Sequence, residues 1–178
     1  MAITFHPDGT VTGGFKAPGA IIQTIHKELT TSVQTSSTSY QEVTGLSQAI
    51  TLSNASNKVL VTVVCQCQAY GDQDRRIDVQ VYHTSVSDSN RFTKQEHGEY
   101  RSGSSSSYSF GPVTHTILDT PGSTSRTYKV AYKSIDGSTV GVQGSSSYTR
   151  SYILLQEIIA FWSRKPSLAH KTIINKNI

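Results

Sequence analysis

Apolar side chains recur at every second residue through most of the chain, the spacing of strands whose two faces differ. The longest case is KVLVTVVCQCQAYG, residues 58–71. Val59, Val61, Val63, Cys65, Cys67 and Ala69 share one face, and Leu60, Thr62, Val64, Gln66, Gln68 and Tyr70 share the other. The first face is apolar throughout and the second turns polar toward its end. That predicts one side in a core and one side partly wet. RRIDVQVYHTSV alternates as cleanly, with Ile77, Val79 and Val81 against Asp78, Gln80 and Tyr82. VTHTILD repeats the pattern through Val113, His115 and Ile117, and RTYKVAYK repeats it through Tyr128, Val130 and Tyr132. Between those two stands Pro121-Gly122, a turn dipeptide in which Pro presets φ and Gly supplies a positive one. Strand, turn and strand here predict a β-hairpin.

Weaker signals fill the intervals. AIIQTI opens the strand-rich part at Ala20, and the hydroxyl-rich HKELTTSVQTSSTS after it reads as a strand edge or a loop. SYQEVTGLSQAITLS predicts two short strands around Gly45, followed by a turn at NASNK. SDSNRFTKQEHGEYRSGSSSSYSFG has no period and reads as a long connection or a pair of weak edge strands. DGSTVGVQGSSS gives one short strand between Gly-rich turns. TRSYILLQEIIAFW could be helical by composition, but Tyr152, Ile153 and Ile158 favour strand and a turn cluster precedes them. The sum is roughly eight to ten strands at the spacing of a sandwich or barrel, with no complete helix signal. Residues 1–19 read as an extended N-terminal arm, 20–160 as one β-sandwich domain and 161–178 as a basic C-terminal tail.

Composition sharpens this reading. The chain has 178 residues, enough for one domain with tails. Hydrophobic residues are 35% and charged residues 16%, the balance being rich in Ser, Thr, Gly and Gln. Such a mixture suits turns and polar strand faces and disfavours helix, because Ser and Thr compete for backbone hydrogen bonds. The net charge of +4 sits in the tail, where Arg164, Lys165, Lys171 and Lys176 face no acid. The other 12 of the 16 Lys and Arg offset the 12 acids, so no basic body exists to track nucleic-acid phosphates.

No run approaches the ~18 apolar residues of a membrane helix, and no secretory leader is visible at the start. A soluble protein made in the cytoplasm is expected. Cys65 and Cys67 lie on one face of one strand, poor geometry for a disulfide. As a lone C-x-C pair they lack further metal ligands and read as core thiols.

The search for chemistry returns little. No two of the six histidines stand at metal spacing. Asp72 and Asp74 make half a calcium loop without its closing Glu. There is no G-x-S-x-G elbow and no phosphate loop, and the Ser and Thr of 118–130 have no His base at fixed spacing. Asn54-Ala55-Ser56 is a glycosylation sequon that means nothing without a secretory route. No cofactor is implied.

Recognition-like features remain. GSSSSYSFG and GSSSYTRSY mix Tyr, Ser and Gly as binding loops do, which makes Tyr100, Tyr108 and Tyr148 candidate receptor-facing residues. Phe5, Phe15, Phe161 and Trp162 are large aromatics in otherwise polar termini. With Arg164 and Lys165 they are candidate anchors on neighbouring chains.

The order of segments also resembles a known module. Thr44-Gly45-Leu46-Ser47, then Lys58-Val59-Leu60-Val61, then Asp119 through Tyr128-Lys129-Val130, and last Ile153 through Glu157-Ile158 carry the likeness over residues 20–158. The pattern resembles a β-sandwich module of tailed-bacteriophage virion structural proteins, tail-fibre-like in kind. The resemblance implies an all-β fold, an antiparallel jelly-roll-like β-sandwich with the arm and tail outside it. It further implies a homotrimer on a virion, synthesised in the host cytoplasm, with no catalytic residues and no metal. As a short tail fibre or tail-associated adhesin it would meet a host-surface glycan or protein. As a capsid-decorating protein it would bridge capsomers. Its partners would then be itself and other virion proteins, with no nucleic acid and no membrane insertion. Two rivals come from other classes. One is a lectin-like carbohydrate-binding module, disfavoured by the single Trp and the missing calcium loop. The other is a hydrolase on a β scaffold, for which no carboxylate pair is recognisably spaced.

Overall fold

The two-residue alternation becomes strand almost throughout the computed structural model, which describes residues 4–5, 11–12, 17–71, 75–84, 90–99, 107–143 and 150–160. Two short pieces, β1 (Thr4–Phe5) and β2 (Val11–Thr12), pair with each other. Then follow β3 (Ile21–Leu29), β4 (Val33–Thr35), β5 (Gln41–Thr51), β6 (Lys58–Gly71) and β7 (Arg75–His83). The chain continues with β8 (Arg91–Glu99), β9 (Ser107–Asp119), β10 (Ser125–Ser134), β11 (Val140–Val142) and β12 (Ser151–Ile158). No α-helix occurs among the described residues, and the apolar run after Arg150 is strand.

Pairing is nested. β3 pairs β12, β4 pairs β11, β5 pairs β10, β6 pairs β9 and β7 pairs β8, all antiparallel. The chain is in effect one long hairpin, rolled so that β12 and β11 also join β6 and β10 joins β7. That roll produces two sheets. One is β5-β10-β7-β8. The other is β3-β12-β6-β9, with β11 taking over from β12 along β6 and carrying β4 at its side. β3 lies against β5 at one side of the stack, and β8 against β9 at the other. The fold is an all-β antiparallel sandwich of the jelly-roll kind.

The core is the set of inward positions that the alternation defines. Val59, Val61, Val63, Cys65 and Cys67 of β6 meet Ile77, Val79 and Val81 of β7, with Tyr128, Val130 and Tyr132 of β10 and Ile153 and Leu155 of β12. Both thiols are free and buried, and burial pushes Cys67 up to about 12. A thiol held in that range stays protonated and inert, so these two cysteines fill space.

The expected hairpin at Pro121-Gly122 does not form. β9 belongs to one sheet and β10 to the other, and residues 120–124 carry the chain between them. Alternation sets which way side chains point but not which strand they pair with. Local bonds fix the crossing instead. Asp119 Oδ2 accepts from Tyr128 Oη at 2.7 Å and from Arg126 Nη1 at 3.0 Å, while Arg126 Nη2 donates to the Pro121 carbonyl at 2.7 Å. The Thr124 carbonyl accepts from Leu52 N, pinning the connection to the end of β5. Gly122 does have the positive φ a turn needs.

The two strands expected around Gly45 are one. Opposite β5, Lys129 pairs with Ser47 and Ala131 pairs with Glu42, so β5 carries extra residues in a bulge. Gly45 sits in it with φ 99°, and a Cβ there would stand 2.8 Å from Leu29 Cδ1. The hydroxyl-rich stretch after Ile25 completes β3 and supplies β4 at the sheet margin, where polar side chains are tolerated. The unperiodic stretch 87–111 likewise holds edge strand β8 and the start of β9.

β12 ends on a buried acid. Glu157 is inward, and its Oε1 accepts from Ser53 N at 2.7 Å, Ser53 Oγ at 2.8 Å and Asn57 Nδ2 at 2.6 Å. These donors come from the β5–β6 connection, so one carboxylate ties that loop to the last strand. Burial alone would raise its pKa, but the bonds from Asn57 and Ser53 outweigh burial and hold it below the ordinary value.

Two outcomes follow. Gly45→Ala should destabilise the protein by about 1–3 kcal/mol in urea unfolding, through left-handed backbone strain and the Leu29 clash. A depressed folded pKa adds stability above the unfolded carboxylate range, which is lost as pH falls through the folded value. Glu157→Gln should therefore cost about 1–3 kcal/mol at neutral pH and flatten the acid limb of a stability-versus-pH curve.

Candidate assembly face

The outward side of β6 is the centre of a surface with an unusual charge distribution. Leu60, Thr62, Val64, Gln66 and Gln68 stand beside Leu118, Thr116, Thr114, Pro112 and Phe110 of β9. On the other side Leu60, Thr62 and Val64 meet Gln156, Leu154 and Tyr152 of β12. Beyond β12 come Thr24, His26 and Glu28 of β3. Phe110 is 57% exposed and Leu118 55%. Across β12, β6 and β9 the outward rows hold one charge, Lys58, at the end of β6. Tyr70 closes the other end, accepting from Gln34 Nε2 at 2.7 Å and donating to Gln68 Oε1 at 2.8 Å. The His26 and Tyr152 rings lie 5.4 Å apart at the β3 margin.

The outer side of the second sheet is the opposite in character. Lys129 pairs with Glu42 at 2.7 Å, Lys94 with Asp78 at 3.2 Å and Glu96 at 3.5 Å, and Arg76 with Glu96 at 3.6 Å. Solvated sheet faces carry such charges, while the centres of protein interfaces are depleted of them. A single exposed Leu is ordinary, but a neutral sheet face with exposed Leu and Phe is a candidate contact surface.

That second sheet also has a covered polar side. Asp78, Gln80 and Tyr82 form the polar side of β7, yet all three are buried. Tyr40, from the β4–β5 connection, lies over them. Its Oη donates to Asp78 Oδ2 and accepts from Gln80 Nε2, and Tyr82 Oη donates to Gln80 Oε1. Lys133 Nζ stands 4.8 Å from the centre of the Tyr40 ring. Burial, and then the Asp78 carboxylate, hold the Tyr40 phenol far above its usual range, so it stays protonated and donates to Asp78. A side-chain lid made this polar face internal.

Of the residues singled out from sequence, Phe5 and Tyr108 have described backbone: Phe5 pairs with Val11 and Tyr108 with Tyr70. Their side chains, and all of Phe15, Tyr100, Tyr148, Phe161, Trp162, Arg164 and Lys165, lie outside the described residues, as do Asp72 and Asp74. The neutral face was not singled out. Its signal was nonetheless present, since residues 107–118 contain no Lys, Arg, Asp or Glu and 59–71 contain none either. Among the described residues no group of three His, Cys, Asp or Glu could hold a metal, and no helix is long and apolar enough to cross a membrane.

No protein-family model matches the chain, and no curated protein does. Among solved structures it is similar to the Eiger TNF from S. frugiperda, at 9% identity and TM-score 0.37, over 80% of this chain and 99% of that one. It is also similar to a chain of infectious bursal disease virus, Gx strain, at 13% identity and TM-score 0.32, over 92% of this chain. There it spans 41% of the viral chain's length. Likenesses this distant say nothing of function.

Tyr40→Phe removes the hydroxyl that bonds buried Asp78 and Gln80. It should cost about 1–3 kcal/mol in denaturant unfolding and leave the particle mass in solution unchanged, because the lid lies on the sheet away from the neutral face.

Proposed function

We propose that the chain is a non-enzymatic structural subunit of a bacteriophage virion, a short tail fibre or tail-associated adhesin built as a homotrimer. The observation that carries this reading is the neutral outer face of β12, β6 and β9 with Leu118 and Phe110 exposed on it. Such a face is covered in use, and a second copy of the chain fits it. It holds almost no charge of either sign, so a like surface meets no repulsion and no complementary charge is required. Placement on a virion is supported by the resemblance of residues 20–158 to the phage module. In that setting Phe5, Phe15, Phe161 and Trp162 anchor the arm and tail on neighbouring proteins, and Tyr100, Tyr108 and Tyr148 face the host surface.

Capsid decoration is the second placement. The tail favours it, because Arg164, Lys165, Lys171 and Lys176 without an acid suit docking on an acidic shell. Copy number per particle separates the two, with tens for a tail and hundreds for a capsid.

Sedimentation of the purified chain should give three times the 19.4 kDa chain mass. Leu118→Glu with Phe110→Glu should weaken association by at least about tenfold while the β-type dichroism spectrum is kept. A wild-type chain that stays monomeric at high concentration, or a double variant that still sediments as the trimer, refutes the reading.

A further inference from the structure

His115 lies on β9 between Val113 and Ile117, on the side that points into the sandwich, and its backbone pairs with Val63 of β6. Its residue is 3% exposed, and Nε2 has no hydrogen-bond partner. The Val79 backbone on β7 lies on the side that favours a proton on the ring. A buried imidazole whose Nε2 is bare favours the neutral ring. A proton on Nε2 would bury a charge with nothing to receive its hydrogen bond.

The surrounding groups give that charge no contact partner among the described residues. From β7 comes Asp78, whose Oδ2 is taken by Tyr40 and Lys94 and whose Oδ1 is buried and bare. It attracts a proton on His115 across the sheet without touching the ring. From β8, Lys94 and Glu96 pair with each other on the outer surface. The side chains of His97 and Glu99 on β8 lie outside the described residues. β6 offers the neutral thiols of Cys65 and Cys67, and β10 offers the Tyr132 phenol, all pushed up by burial. On β9 itself Asp119 is engaged by Arg126 and Tyr128. Burial lowers the His115 pKa from 6.5, only partly offset by the Val79 backbone and the Asp78 charge.

The strand that carries this ring inward carries Phe110, Thr114, Thr116 and Leu118 outward on the neutral face. β9 is also where the second sheet, through β8, closes on the first. We propose that His115 is a proton-operated release point: charging its ring loosens β9 from the sandwich and, with it, the face through which copies associate. The second half rests on the assembly reading above.

The direction follows from linkage. A histidine with a lowered folded pKa leaves the closed state fully stable above 6.5. As pH falls below that value the open state takes up the proton, and the opening constant rises by up to about tenfold per pH unit. Glu157 acts lower, below the ordinary carboxylate range.

Hydrogen exchange of β9 amides and particle mass should be followed from pH about 7.5 to about 5. In the wild type β9 opening should rise by up to about tenfold per unit below 6.5, beyond the intrinsic rate change, and the oligomer should dissociate over the same range. His115→Leu should remove both effects, while His97→Gln should leave them. An unchanged acid response in His115→Leu overturns the proposal. So does a His115 ring resonance that titrates at or above 6.5 in the folded wild type, a measurement that needs no variant to fold. Acid opening of β9 in a chain monomeric at every pH keeps the proton switch and removes the assembly reading.

Discussion

β6 is bonded along both edges, and the rest of the fold depends on that double pairing. β9 runs beside it from Val59 to Gly71, while β12 and then β11 occupy its other side. Its side chains do two jobs at once. The inward row from Val59 to Ala69 is the floor of the core, and the outward row from Leu60 to Gln68 is the middle of the neutral face. A slip of one residue in register would exchange the two rows, putting Gln66 and Gln68 into the core and Val61 and Val63 in water. The core therefore fixes the register, and the register fixes which residues the face presents.

Polar groups inside the sandwich show how selectively it accepts charge. Glu157 receives three donors on one oxygen, and Asp119 receives a phenol and a guanidinium. Asp78 is sealed beneath Tyr40 but keeps Lys94 at 3.2 Å. Each buried acid has been given donors, which is what makes a buried charge tolerable. His115 has been given none at Nε2. The interior thus supplies donors to its buried acids and no partner to His115 Nε2.

Strand existence and facing were legible in the sequence, because alternation writes them directly into β6, β7, β9 and β10, while β12 was read from its β-formers. Pairing was not. The segment around Pro121-Gly122 reads as a hairpin, since a turn between two alternating runs looks the same whether the chain folds back or crosses to the other sheet. What decides is Asp119 reaching Arg126 and Tyr128, a contact no periodicity encodes. The burial of the outer side of β7 was not legible for a related reason: Asp78, Gln80 and Tyr82 are covered by Tyr40, distant in sequence. The bulge at Gly45 divided one strand into two apparent ones. The neutral face was readable as missing charge along 59–71 and 107–118, but only pairing of β6 with β9 turns two uncharged runs into one surface.

Size bears on the order of assembly. The outward row of β6 from Leu60 to Tyr70 spans about 33 Å at ~3.3 Å per residue, and four strands cover about 19 Å across. That is a flat patch of about 600 Å², below the roughly 800 Å² per partner of a standard specific interface. One such patch against another would make a modest dimer. The proposed trimer would give each copy two contacts, the face on one side and a different patch on the other, and a closed ring adds no fourth copy. β9 lies on the flank of that face and under β8, so its displacement would disturb the proposed contact and the core together.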